Sequence, residues 1–193
     1  MKYLLFVFLL INTPIMAQDK LPFESIPEAS DSYDSGNIIV RMIEGLGYRY
    51  YWATKGLTTT DLDYKPSSSG SSTQETLQHI HGLAEVILNV SVNKVSFRPI
   101  ENQPKGLFEL RSETLNSLKQ ATLNFKNKTP EQLSELNVIF ERGGKQSHFP
   151  LWNLINGPLS DAIYHTGQVV SFRRSAGNPI QKGVNVFMGK TKE

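Results

Sequence analysis

Leu159-Ser160-Asp161-Ala162-Ile163-Tyr164-His165-Thr166-Gly167-Gln168 sets a carboxylate and an imidazole four residues apart in a stretch patterned as helix. At that spacing the two side chains lie about 40° apart around the axis with one turn of rise between them. Both can then reach one divalent metal ion, as paired ligands on a helix face do in helical metal sites. The same residues have a plainer reading: Asp161 caps the helix that restarts after Pro158, and His165 is a hydrogen-bonded core residue. Asp near a helix start needs no metal to explain it.

Four histidines occur in the chain, His79, His81, His148 and His165. Two of them fall in a second helical stretch, from Ser72 to Val92, where residues two apart face about 200° away from each other, so they cannot serve one site together. His79 lies on the stripe of Leu83, Val86 and Val90, and His81 nearer Leu77, Ala84 and Leu88. Periodicity does not choose between them. His148 sits among polar and Gly-rich residues of a predicted loop and reads as a surface residue.

The apolar spacing predicts four main helices. The first runs from Ile38 to Lys55 through Ile39, Met42, Ile43, Leu46, Tyr50 and Ala53, with Ser35 as its cap and Gly56 at its end. Thr58 to Asp61 predicts an extra turn, and Pro66 to Ser71 a polar loop. The second helix starts at Ser72 or Thr73, with Glu75 in its first turn. Phe97 to Lys105 carries two prolines and reads as a long irregular connection. The third helix spans Gly106 to Lys126, with Leu107, Leu110, Leu115, Leu118, Ala121, Leu123 and Phe125 on a broad apolar face.

Thr129-Pro130-Glu131 opens a short turn. Val138 to Phe140 and the Gly143-Gly144 pair predict a small extended excursion or hairpin. Pro150 opens the last helical region, which is interrupted at Gly157-Pro158 and capped by Gly177. The expected fold is an all-α four-helix bundle with that small excursion before the last helix. Tyr48, Tyr50, Tyr51 and Trp52 read as packing aromatics, and Arg173 and Arg174 as charges satisfying the C-terminal dipole of their own helix, with an anion-binding rim as the alternative.

Met1 to Ala17 has the form of a signal peptide: Lys2 as the positive region, an apolar core from Tyr3 to Ile11 too short to span a bilayer, and Ala17 before cleavage. An uncleaved anchor is the competing reading. The expected organisation is a signal peptide over residues 1–17, a flexible lead-in over 18–35, the helical domain over 36–180 and a tail over 181–193. The expected location is exported, periplasmic or extracellular. With no Cys, the chain has no disulfides, zinc-thiolate sites or thiol nucleophile. The formal net charge of +2, one less without Lys2, provides no basic footprint for nucleic acid.

The histidines and their surroundings resemble the DinB/YfiT-like family, a four-helix-bundle group of metalloenzymes. The resemblance rests on His79 followed by Ile80 in the second helix, the run from Asp161 to Gln168 with His165 before Thr166-Gly167-Gln168, and the Gly56 to Leu62 connection. It spans roughly residues 38–179. It implies one divalent metal (Zn, Ni, Fe or Mn) held by His79, Asp161 and His165, with Asp161 standing where the family usually has His. That departure leaves either a two-His, one-carboxylate site or a weakened one. Segments near Asn153 to Pro179 resemble an exported branch.

Three ligands would leave positions for water, as catalytic sites do. The implied activity is metal-dependent hydrolysis of a small-molecule substrate. A non-catalytic binding or structural module that has lost the metal chemistry is the alternative. Thiol transfer is not expected, because the thiol cosubstrates thought to serve some relatives are cytoplasmic. Homodimerisation is left open.

Overall fold

Ile39, Ile43, Leu46, Tyr50 and Ala53 recur at helical spacing, and all five are buried on one side of α1 (Ser35–Thr54) in the computed structural model. The structure describes residues 20–101 and 103–192; the expected signal peptide lies outside them. Helix α1 begins three residues earlier than its pattern suggests. Ser35 is inside it, and Asp34 stands at the N-cap without a side-chain capping bond.

Short α2 (Thr59–Asp63) and long α3 (Thr73–Ser91) both start with reciprocal capping boxes. In the second, Ser72 N–H donates to Glu75 Oε2 at 2.7 Å and Glu75 N–H donates to Ser72 Oγ at 3.1 Å. Thr76, Leu77, Ile80, His81, Ala84 and Ile87 bury one side of α3. Helix α4 (Leu107–Phe125) follows, burying Leu110, Leu115, Leu118, Ala121 and Phe125 and leaving Leu123 exposed. Each fully buried Leu or Ile of these stripes contributes roughly 1.5–3 kcal/mol.

The segment expected to be irregular from Phe97 begins instead with a strand, β1 (Ser96–Arg98). After the capped turn α5 (Pro130–Ser134) come β2 (Asn137–Arg142) and β3 (Lys145–Pro150). The sheet order is β1-β2-β3, parallel between β1 and β2 and antiparallel between β2 and β3. Gly143 and Gly144 turn this hairpin at φ 57° and 77°, a pair of left-handed conformations that a two-residue turn requires and glycine adopts without strain. The fold is therefore mostly helical rather than all-α. The parallel partner of the hairpin lies about forty residues upstream, beyond the reach of a local pattern. His148, expected in a loop, is exposed on β3, and Pro150 ends β3 rather than opening a helix.

The last region comprises α6 (Trp152–Leu154), a π-helical turn over Ile155–Leu159 and α7 (Ser160–Ser175). Pro158 has no N–H to donate and Gly157 sits at φ −99°, ψ −106°, so the ladder breaks there and α7 leaves at a new angle. The four long helices pack in the cyclic order α1, α4, α3, α7, and α7 closes on α1. Helix α7 buries a narrow stripe of Ala162, Thr166, Val169 and Arg173.

The residues before α1 do more than lead in. Phe23 is buried over Gly47, where an added Cβ would come within 2.5 Å of the ring. Trp52 Nε1–H donates to the Glu24 carbonyl at 3.0 Å. The Ile26 N–H donates to the Gly189 carbonyl at 2.8 Å, which ties this segment to the hairpin β4 (Val184–Asn185) and β5 (Lys190–Thr191). Tyr48 Oη meets Thr191 Oγ1 at 2.8 Å.

Candidate metal centre

Asp161 and His165 stand one residue ahead of Ala162 and Thr166, so they form the stripe beside the buried one on α7. That flank borders α3, from which His79 projects. The Asp161 carboxylate is shared between two imidazoles: Oδ2 lies 3.1 Å from His79 Nε2 and Oδ1 lies 3.2 Å from His165 Nε2. The two rings are 4.6 Å apart at 87°, and one donor atom from each of the three residues lies within 4.8 Å of the others. His79 is 50% exposed at its side chain, Asp161 42% and His165 23%, so the cluster opens to solvent.

His165 is held from behind. Its Nδ1 is 2.6 Å from Gln168 Oε1. Gln168 Nε2 in turn donates to Tyr164 Oη at 3.2 Å. The His165 ring turns its Nε2 toward Asp161 Oδ1, 3.2 Å away. A cation, a proton or a metal, can be shared between the two atoms. Two imidazole nitrogens and a carboxylate, with the outer nitrogen of one ring satisfied by an amide, are a donor set that fits a divalent metal.

Asp161 is not a cap. It occupies the first turn of α7, whose N-terminus has no side-chain capping bond, and its oxygens face the histidines instead. His81, the other histidine of α3, points elsewhere: it is 3% exposed, with Nδ1 at 3.3 Å from Thr114 Oγ1 and Nε2 at 3.8 Å from carboxylate oxygens of both Glu85 and Glu113.

Arg173 departs from its expected place. It is 2% exposed, and its Nη1 donates to the carbonyls of Trp52 at 3.3 Å, Ala53 at 2.9 Å and Lys55 at 3.0 Å. It thus serves the C-terminal carbonyls of α1 rather than the dipole of its own helix, and it lines no rim. Asn178, which accepts from Arg173, also donates to Asp61 Oδ2 at 2.7 Å. Burial works against the Asp61 carboxylate, but bonds from Asn178 and Thr58 and the charge of Arg173 outweigh it and hold its pKa below the ordinary value.

The fold and the cluster together define a class: a mostly helical protein with a candidate two-His, one-Asp metal centre between its second and last long helices. The chain belongs to the DinB family, whose profile matches residues 37–182. In fold it is similar to a DinB-like protein from Bacillus cereus ATCC 10987 known from a crystal structure. That likeness has a TM-score of 0.53 at 16% sequence identity and covers 74% of this chain and 95% of that one. A search among curated proteins finds no match.

Proposed function

We propose that this chain is an exported four-helix-bundle metalloprotein whose His79, Asp161 and His165 hold one divalent metal and whose activity is hydrolytic, on a small-molecule substrate. The observation that carries the reading is the convergence of His79, Asp161 and His165, with one donor atom from each within 4.8 Å of the others. Gln168 Oε1 lies 2.6 Å from His165 Nδ1, and the ring turns Nε2 toward Asp161 at 3.2 Å. Two imidazoles and a carboxylate gathered in this way, with one ring oriented by an amide, form a donor set favourable around a divalent cation.

A divalent metal bound there supplies a water of lowered pKa and an electrophile for a substrate oxygen. The chain's own residues have separate tasks. Gln168 holds the His165 ring in one orientation. The Tyr164 hydroxyl accepts from Gln168, and the ring, 63% exposed, stands beside His165 where a substrate would arrive. Two imidazoles and a carboxylate suit Zn, and also Ni, Fe(II) or Mn. Lys2 and the apolar run from Tyr3 to Ile11 support export, and with it hydrolysis over thiol transfer; a chain without Cys also has no thiol of its own to exchange. Among the described residues no helix is long and apolar enough to cross a membrane. Nucleic acid is not an expected partner.

The deciding experiment is elemental analysis of the full chain purified from its own compartment, paired with N-terminal sequencing and assays for ester and amide hydrolysis and for thiol consumption. Stoichiometric metal, a start near Gln18 and His165-dependent hydrolysis are expected. Metal-free folded protein would favour the non-catalytic module, and His165-dependent thiol turnover or an uncleaved cytoplasmic chain would overturn the reading.

A further inference from the structure

The strand register sets Arg98 of β1 beside Arg142 of β2, and Arg142 beside Lys145 of β3, so three cations form one row across the whole sheet. Phe140, paired with Ser147, and Phe149 occupy the same face by two-residue alternation. These six residues line a cavity of about 320 Å³, at the small end of the range that holds organic ligands. The Arg98 guanidinium carbon lies 5.4 Å from the Phe140 ring centre, and the Phe140 and Phe149 rings are 6.4 Å apart at 63°.

Among the described residues, none of the three cations has a carboxylate oxygen within 4.0 Å. Glu141 alternates to the opposite face, where Gln146 donates to it at 3.2 Å. Partial burial pushes the Arg98 pKa down; Glu85 opposes this and neighbouring Arg142 adds to it.

Like charges directly opposite one another on a sheet are destabilising. Charges on edge strands protect against edge-to-edge pairing, and that accounts for Lys145. It does not account for Arg142, which lies on the central strand with a cation on each side, nor for a half-buried Arg98. An anion seated on the row would relieve both.

We propose that this face of the sheet binds a small organic oxyanion with a flat apolar body, an aryl phosphate or aryl carboxylate. The oxyanion sits on Arg98, Arg142, Lys145 and the Ser147 hydroxyl, where charge-assisted bonds concentrate. The ring lies against Phe140 and Phe149. This site is separate from the His79–Asp161–His165 cluster and does not depend on the function proposed for it.

Amide NMR titration of the full chain at fixed ionic strength tests this, with phenyl phosphate, benzoate, inorganic phosphate and benzyl alcohol as probes. The expected result is shifts confined to residues 97–98 and 140–149, with phenyl phosphate or benzoate at least about tenfold tighter than inorganic phosphate or benzyl alcohol; the tighter of the two names the head group. Arg142→Gln and Lys145→Gln should each weaken that binding by about tenfold or more with an unchanged melting temperature. Phe149→Leu should lower the affinity of the aryl probe toward that of inorganic phosphate. Shifts centred on His79 and His165, shifts spread over every surface lysine, no saturable shifts with either aryl probe, or Arg142→Gln and Lys145→Gln variants that bind as wild type would each overturn the proposal.

Discussion

Asp161→Ala is the substitution that most directly tests the candidate metal centre. The Asp161 side chain is 42% exposed and caps nothing, so its loss from the metal-free protein should change stability by no more than about 1 kcal/mol, the helix-dipole contribution of an acid in a first turn. Its effect on metal binding should be much larger. Both carboxylate oxygens face imidazole nitrogens at 3.1 and 3.2 Å, and removing even an outer partner of a metal ligand typically costs about 10–100-fold in affinity. With zinc or nickel at 100 times the wild-type Kd, binding stabilises the fold by about 2.7 kcal/mol; a tenfold weaker variant retains about 1.4 kcal/mol at the same concentration. For a chain of this size that is a metal-induced rise in Tm of roughly 5–11 °C falling to about half. Differential scanning fluorimetry with and without metal, alongside isothermal titration, reads both numbers. Asp161→His, which installs a third imidazole, should keep or raise the shift. A metal-induced shift in Asp161→Ala equal to that of wild type would refute the ligand assignment.

The other expectations touch different parts of the structure. Gln168→Leu removes the hydrogen-bond partner of His165 Nδ1 and should weaken metal binding about 10–100-fold while the fold persists, read by competition with a chromophoric chelator. Arg173→Leu leaves the end carbonyls of α1 without their buried donor and should cost at least about 3 kcal/mol, seen as a fall in the urea midpoint. Because the Asp61 pKa is lowered in the folded state, its contribution is fully present above the unfolded value of about 3.9 and is lost as pH falls through the lower folded value. Urea midpoints between about pH 3 and 6 should therefore drop more steeply toward acid in wild type than in Asp61→Asn. Phe23→Ala empties the place over Gly47 and should cost about 3 kcal/mol, measured by thermal unfolding; a smaller effect than 1 kcal/mol would show that the segment before α1 adds nothing to the core.

Much of the helical layout was legible because its causes are local. Ser72 and Glu75 cap each other three residues apart, Thr58 and Asp61 do the same, and Gly143-Gly144 turns a hairpin by its own φ angles. These depend on near neighbours in the chain and can be read from it. The pairing of β1 with β2 could not, since a three-residue strand has no pattern of its own and is defined by a partner far along the chain. Alternating Phe140 and Arg142, then Lys145, Ser147 and Phe149, was the available sign of the cationic face. It becomes informative only once Arg98 is known to lie in the same row.

By itself the sequence determined the spacing of Asp161 and His165 on one helix, the positions of the main helices and the lack of any thiol, all set by residue identity and the 3.6-residue period. Spacing left open which histidine of α3 joins them; the family resemblance pointed to His79, and the tertiary structure sets His79 beside Asp161. His79 and His81 are equivalent to periodicity, but α7 packs along the flank that carries His79, while His81 turns into the core beside Thr114. The same holds for Arg173, whose partners are carbonyls at the end of α1. A side chain's chemistry is written in the chain, but the groups it meets depend on which helix faces pack together.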